Sequence, residues 1–259
     1  MPTSTLPTGS FAPAPGVGPM LREWRDRRRL SQLDLSTRAG VSTRHLSYVE
    51  TGRATPSREL ILHLARQLEV PLREQNRFLL AAGYAPVYSE FDLTDDAMRP
   101  VVDALGAILA GSEPNPTLVM DRHWNLVMAN DAAFALIDGV PDELLVPPLN
   151  VLRLSVHPEA MARRIVNFDE VAEHLVVRVR RQIEMTGDAV LADLLDEVSE
   201  FLPATTFERA AAHGETPVAI PMRVRRDGVE HSYLSVVSTF GTAVDVNASE
   251  LTIETFYEV

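Results

Sequence analysis

The sequence predicts two domains: an all-α N-terminal domain of five helices and a C-terminal α+β domain with an antiparallel sheet of about five strands. The first third of the chain carries apolar residues at helical spacing, with capping residues at the helix ends. Beyond residue 100, β-branched runs alternate with two amphipathic helices. A length of 259 residues suits two ordinary domains. The predicted segments are a disordered tail (1–19), the helical domain (20–83), a linker (84–99) and the α+β domain (100–259).

Capping residues set the predicted helix boundaries in the first third. Serine occupies the N-cap position before three of the apolar-periodic runs, and glycine follows three of the helix ends. These residues are Ser31, Ser42 and Ser57, and Gly40, Gly52 and Gly83. The helices predicted from them are Met20–Arg29, Gln32–Ala39, Thr43–Thr51, Arg58–Leu68 and Leu72–Ala82.

The C-terminal pattern predicts five strands, with two long helices between the second and the third. The Asp227-Gly228 pair is a strong hairpin signal between strands three and four. We expect the helices to cover one face of the sheet. The predicted strands are Thr117–Met120, Leu126–Ala129, Val218–Arg225, Glu230–Phe240 and Leu251–Tyr257, and the helices are Phe168–Met185 and Asp188–Phe201.

Charge is distributed unevenly along the chain. The formal net charge is −12, but Met20 to Gly83 contains 12 Arg against 7 acidic residues, a local charge of +5. From Tyr84 onward there are 12 Arg against 29 acidic residues, a charge of −17. A basic N-terminal domain on an acidic body is typical of a protein whose first domain binds a polyanion.

Several functional classes find no support in the sequence. The chain has no cysteine, which excludes disulfides and thiolate chemistry. No nucleophile, dinucleotide-binding or phosphate-loop motif is present, and the seven histidines lack metal-ligand spacing. We therefore expect no enzyme activity, no metal and no cofactor. The sequence also contains no signal peptide and no membrane-length apolar run, which predicts a cytoplasmic protein without a membrane partner.

The segment Gln32–Thr51 follows the rules of a helix-turn-helix motif. Small residues allow its two helices to approach closely, and Gly40 permits the positive φ that the sharp turn needs. In this motif the second helix enters the major groove of double-stranded DNA. We expect DNA contacts from Gln32, Ser42, Thr43, Arg44, Ser47, Tyr48 and Arg53.

Different roles are predicted within this set. Arg44 can donate two hydrogen bonds to a guanine edge, which discriminates against other bases by about 1–3 kcal/mol. Gln32 and Arg53 are placed to contact phosphates. Glu50 would repel DNA unless paired, so we expect it to contact an arginine of the first helix, Arg22 or Arg25.

The N-terminal domain resembles the Xre and Cro/C1 family of helix-turn-helix regulators. The resemblance rests on four short segments, at Leu30–Gln32, Ala39–Ser42, Glu50–Arg53 and Pro56–Ser57. It implies a transcription regulator that binds operator DNA. A homodimer is expected, since one such domain reads few base pairs and two half-sites supply the affinity.

The rest of the chain resembles the MmyB-type family, which joins such a head to a PAS-like ligand-binding domain. The segments that carry the resemblance are Leu79–Pro86, Asp121–Asn130, Asn150–Pro158, Arg180–Ile183 and Phe240–Val246. It implies a one-component regulator whose C-terminal domain encloses a small apolar ligand, with a bound fatty acid or other acyl chain as the expected occupant.

Candidate ligand-binding residues are large apolar side chains and nearby polar groups on the inferred sheet and helix faces. Such sites combine apolar walls with a few polar groups. The candidates are Trp124, Phe134, Leu152, Phe168, Leu175, Met222 and Phe240, with Asn130, Arg153, His157, His174 and Arg178.

The sequence is also compatible with two alternative functions for the C-terminal domain. It can be a protein-interaction module, which would show a solid core and an apolar surface patch. It can also be a haem or flavin sensor of the PAS type, in which His157 or His174 would be the candidate axial ligand.

Overall fold

The computed structural model describes residues 16–211 and 219–259. The chain divides into two compact units, the first ending at Val87 and the second beginning at Tyr88. Residues 1–15 of the predicted disordered tail lie outside the described residues, as does Val218, the first residue of the predicted third strand.

The first unit is the predicted five-helix domain. Its helices are α1 (Val17–Arg27), α2 (Gln32–Ala39), α3 (Thr43–Glu50), α4 (Arg58–Gln67) and α5 (Leu72–Ala81). The side chains of Ser31, Ser42 and Ser57 cap α2, α3 and α4, each accepting a hydrogen bond from a backbone N–H of the first turn. The five helices enclose one apolar core, with Leu21, Leu35, Ile61 and Phe78 fully buried.

Helix α1 begins at Val17, three residues before the predicted start at Met20. Pro19 does not prevent this start, since the first-turn N–H groups of a helix have no intrahelical partner. The extra turn approaches α3 closely: a Cβ atom on Gly18 would lie 2.3 Å from the carbonyl oxygen of Val49. Glycine is therefore required where α1 crosses α3.

The second unit contains the predicted antiparallel sheet of five strands. The strands are β1 (Thr117–Met120), β2 (Leu126–Ala129), β3 (Met222–Arg226), β4 (Val229–Thr239) and β5 (Thr252–Glu258). Their spatial order is β2-β1-β5-β4-β3, so the last strand lies at the centre. Asp227 and Gly228 both have positive φ, as the predicted hairpin requires. The predicted fold class is confirmed.

Helices lie on both faces of this sheet, whereas the sequence predicted cover on one face only. In the described part of the chain, five α-helices lie between β2 and β3, and a sixth lies between β4 and β5. They are α7 (Asp131–Leu136), α8 (Val151–Val156), α9 (Phe168–Thr186), α10 (Ala189–Ser199), α11 (Ala204–Ala211) and α12 (Val246–Glu250). Met120 packs with α8, α9 and α10 on one face. Val119 and Ile253 point to the other face and pack against Leu105 and Leu109 of the preceding helix, α6 (Arg99–Ser112).

The predicted linker, residues 84–99, is not a free connector from Tyr88 onward. Ser89 pairs with Asp245, and the backbone N–H of Phe91 donates to the Asp245 carboxylate at 3.0 Å. Met98 is buried. Residues from Tyr88 onward therefore belong to the second unit.

Within the described ranges, no helix is both long enough and apolar enough to cross a membrane.

Candidate nucleic-acid interface and ligand cavity

Helices α2 and α3 are joined by the sharp turn that the sequence predicts. Gly40 has φ 63°, and its N–H bonds to carbonyls of the last turn of α2. Across the turn, the hydroxyls of Ser36 and Thr43 lie 2.9 Å apart. Ala39, Leu46 and Val49 are buried between the helices. The small residues and the left-handed conformation of Gly40 thus fix the angle between α2 and α3.

One side of α3 remains free of the core and carries a preoriented arginine. Arg44 is exposed; its Nε donates to the hydroxyl of Tyr48 at 3.1 Å, and its guanidinium lies 5.3 Å from the Tyr48 ring centre. This contact restricts the rotamers of Arg44 before any ligand binds. Ser42 and Arg53 are exposed at the two ends of the helix, and Ser47 is half-buried between them.

The carboxylate of Glu50 is fully paired, as expected from the cost of an acidic group beside DNA. Nε and Nη2 of Arg25 donate to its two oxygens at 2.7 and 3.0 Å. Both side chains are more than nine-tenths buried. The hydrogen bonds that Arg25 donates to Glu50 raise the pKa of Arg25 above its usual value. The prediction that Glu50 contacts an arginine of the first helix is confirmed.

Two of the predicted DNA contacts, Gln32 and Thr43, bond to side chains of other helices rather than facing solvent freely. The Gln32 amide nitrogen donates to the Glu50 carboxylate at 2.8 Å, which leaves one N–H for a phosphate. Thr43 is half-buried, and its hydroxyl faces Ser36 rather than solvent. The remaining five predicted residues lie along the free side of α3 or at its ends.

The second unit contains an apolar cavity between the sheet, α7 and α8. Among the described residues that line it, Ser155 alone has a polar side chain, and its hydroxyl donates to the Val151 carbonyl at 2.7 Å. The apolar lining residues are Leu118, Leu126, Ala129, Ala133, Phe134, Leu136, Ile137, Leu149, Val151, Leu154, Met161, Ile165, Met222 and Phe256.

The cavity volume is about 80 Å³. An apolar protein cavity that accepts benzene has a volume of about 150 Å³. The walls must therefore move before a long chain can enter. The short helix α7 forms one wall, and its Phe134 lines the cavity while 49% exposed.

Two of the twelve predicted ligand residues, Phe134 and Met222, line this cavity. The other large apolar candidates lie in the packed core instead. Trp124, Leu152, Phe168 and Leu175 pack with α9 and α10. Phe240 packs with α6 on the opposite face of the sheet.

The polar candidates also lie outside the cavity, and most of them hold structural elements together. Asn130 caps α7 and accepts from the N–H of Thr117. Arg178 lies 4.5 Å from the Trp124 ring centre and donates to the buried Glu254 at 2.8 Å. Arg153 donates to the Glu197 carboxylate at 2.6 Å. The ring of His157 packs edge to face against Phe201, and His174 is exposed on α9.

Apart from Phe134, the sequence reasoning missed the side chains of α7 and α8 that line the cavity. Ala133, Leu136 and Ile137 have the three- and four-residue spacing of a buried helix face. That signal was present, but α7 and α8 have six residues each, too few for a periodic pattern to stand out.

Both units have counterparts among transcription regulators. The sequence model described as Helix-turn-helix matches residues 21–75, which include α2 and α3. The model described as MmyB-like transcription regulator ligand binding domain matches residues 101–258, more than half of the chain. The protein is thus a helix-turn-helix transcription regulator with a ligand-binding domain, a class of regulators and not of enzymes. It belongs to the MmyB-like family.

Similar proteins are also described as transcription regulators. HTH-type transcriptional regulators of Mycobacterium bovis and of two strains of Mycobacterium tuberculosis are each 27% identical to this chain over 226 residues. The matched region covers 79% of this chain and 80% of each relative. The likeness therefore extends across both units.

Proposed function

We propose that the first unit binds operator DNA with α3 in the major groove, and that an acyl-chain ligand in the cavity of the second unit changes this binding. The observation that carries the DNA-binding half is Arg44, which Tyr48 holds on the free side of α3. An exposed, preoriented guanidinium is the group best suited to a bidentate contact with guanine.

The positive charge of the first unit also supports DNA binding. The first unit combines a local charge of +5 with full pairing of its one buried carboxylate, Glu50. Arg53 is exposed beyond the C-terminal end of α3, where it can contact a phosphate. A homodimer places two copies of α3 on two half-sites about one helical turn apart.

The cavity supports an apolar ligand over the two alternatives. A protein-interaction module would show a solid core, whereas this core encloses a space lined almost wholly by aliphatic and aromatic groups. A haem-type sensor would need an axial ligand in the cavity, but neither His157 nor His174 lines it. An acyl chain matches this lining because it needs no polar partner along its length.

The DNA-binding half is tested by selecting bound sequences from random double-stranded DNA and titrating the selected site by fluorescence anisotropy. Arg44→Ala should weaken binding by about 1–3 kcal/mol and relax preference at one base position. Arg77→Ala removes the same charge from the exposed surface of α5 and is the control. Equal losses in the two variants would contradict base reading by Arg44.

The ligand half is tested by mass spectrometry of the intact purified protein, followed by extraction of any bound molecule. Ala133→Phe fills the cavity from α7 and should abolish the retained mass. Asp131→Asn, on the exposed start of the same helix, should leave it unchanged. Protein that carries no apolar molecule, and that gains none when incubated with dodecanoate, would overturn the acyl-ligand proposal.

A further inference from the structure

The strand β4 extends past its neighbour β3 and leaves part of one sheet edge without a partner strand. β3 pairs with β4 only as far as Tyr233. From there β4 continues to Thr239 and pairs with β5 alone among the described residues. Residues 219–221, which precede β3, are not in a strand. The second half of β4, Leu234–Thr239, is here called the open edge.

Alternate residues of the open edge point their backbone groups away from the sheet. In an antiparallel ladder, every second residue bonds to one neighbouring strand, and the residues between them face the other side. The Val259 N–H donates to the Ser232 carbonyl at 2.9 Å, so the even-numbered residues of β4 face β5. The N–H and C=O groups of Ser235, Val237 and Thr239 therefore point outward, where the described residues offer them no hydrogen-bond partner.

The side chains of the open edge show none of the features that protect edge strands from pairing. Natural edge strands usually carry charged residues, especially lysine, or proline, which prevent a second strand from adding. From Ser232 to Val244 the sequence contains no charged residue and no proline. Val236 and Val237 are 49% and 47% exposed, and consecutive strand residues lie on opposite faces of a sheet. The open edge is therefore well suited to pair with another strand.

A second copy of the same strand fits the open edge. In an antiparallel pair, the outward-facing residues of one strand must lie opposite outward-facing residues of the other. With Val237 opposite Val237 of the second copy, Ser235 of each strand lies opposite Thr239 of the other. Three residues of each strand then exchange about six hydrogen bonds across a two-fold axis. The chain turns at Gly241, so the added strand ends where β3 begins.

The charge of the second unit also favours contact between two copies at this edge. From Tyr84 onward the chain has 12 Arg against 29 acidic residues, so two copies repel each other over most of this surface. The uncharged segment Ser232–Val244 contains the whole open edge. Two acidic domains can approach each other there without placing like charges in contact.

We infer that two copies of the protein dimerise by pairing their open edges, which joins two sheets of five strands into one sheet of ten. This inference rests on the homodimer of the proposed function and names the surface that forms it. A pair of short strands is a small interface, so we expect a dissociation constant in the micromolar range. The two half-sites of the operator add the remaining affinity on DNA.

One introduced thiol can locate the pairing, because the chain contains no cysteine. In this dimer the two Cα atoms at position 237 lie about 5.5 Å apart. Those at position 229 lie about 50 Å apart, since eight residues of each strand separate them from the two-fold axis. A short bismaleimide should therefore cross-link Val237→Cys but not Val229→Cys. Val229 is a matched control on the same strand, with 56% exposure.

Sedimentation velocity of the full chain, from about 1 to about 100 µM, measures the strength of the dimer. Val237→Lys places two like charges together at the two-fold axis and should weaken dimerisation by about a hundredfold or more. Thr239→Pro removes an outward N–H that the monomer does not use and should weaken it by about tenfold. Val229→Lys should leave the dimer unchanged. Circular dichroism checks that each variant folds.

The outcomes separate this inference from the proposed homodimer. Equal cross-linking at positions 229 and 237, or equal dimer strength in Val237→Lys and Val229→Lys, would overturn the pairing of open edges and leave the homodimer standing. A chain that is monomeric at about 100 µM, and that does not cross-link through Val237→Cys on operator DNA, would overturn the homodimer as well. DNA binding through α3 would stand in either case.

Discussion

The buried pair between Arg25 and Glu50 should contribute more to the stability of the first unit than any exposed ion pair in it. Glu50→Ala leaves Nε and Nη2 of Arg25 without their acceptors in the core. Removing one partner of a buried pair costs about 3–5 kcal/mol. We expect the lower end, about 3 kcal/mol, because Nη1 of Arg25 keeps its bonds to Leu30 and Asp26.

Differential scanning calorimetry of the full chain measures this loss. In a domain of this size, 1 kcal/mol corresponds to about 4–8 °C, so the midpoint of the first unit should fall by about 12 °C or more. The matched control is Glu23→Ala, whose carboxylate pairs with Arg27 on the same helix but is 60% exposed. Such pairs contribute at most about 1 kcal/mol. Equal shifts in the two variants would refute the assigned role of burial.

Three further predictions follow from named contacts. Gly18→Ala should destabilise the first unit by about 1–3 kcal/mol, because its Cβ would overlap the backbone of α3, whereas Gly106→Ala, which meets nothing within 4 Å, should not destabilise α6. Arg53→Ala should lower the salt slope of DNA binding by about 1 for all sequences alike; an unchanged slope would exclude a phosphate contact. Burial raises the pKa of Asp188, but the hydrogen bond and charge of His123, the charge of Arg122 and the hydrogen bond from the Val190 N–H together hold this pKa below its usual value. Asp188 therefore stabilises the fold above about pH 4 and loses this effect as the pH falls. Asp188→Asn should flatten the acid side of a melting-point profile, and an unaltered profile would contradict the pairing.

Local signals in the sequence predicted all five helices of the first unit. The boundaries of α2 match the sequence prediction to the residue, since Ser31 caps its start and Gly40 ends it. The predicted N-terminal end of α1 at Met20 was wrong, since the helix begins at Val17 and proline at position 19 is compatible with its first turn. The partner of Glu50 was predictable because an unpaired carboxylate near DNA is unfavourable in any arrangement.

The ligand cavity was not predictable in the same way. Large side chains such as Trp124 and Phe168 fill space, so they complete a core, whereas a cavity forms where a small side chain such as that of Ala133 leaves space. A periodic pattern identifies the face of a helix that is buried, but it does not distinguish packing against a neighbour from lining a void. Only the three-dimensional arrangement of β1, β2, α7 and α8 shows the difference.

We propose that ligand binding to the second unit controls DNA binding by the first. The most direct test is to titrate the operator DNA, selected from random sequences, with the protein in the presence and absence of saturating dodecanoate. A ligand shifts an equilibrium only through different affinities for two states. We predict a change in operator affinity of about fivefold or more, absent in the cavity-filled variant Ala133→Phe. Identical affinities with and without a ligand that is shown to be bound would contradict the claim.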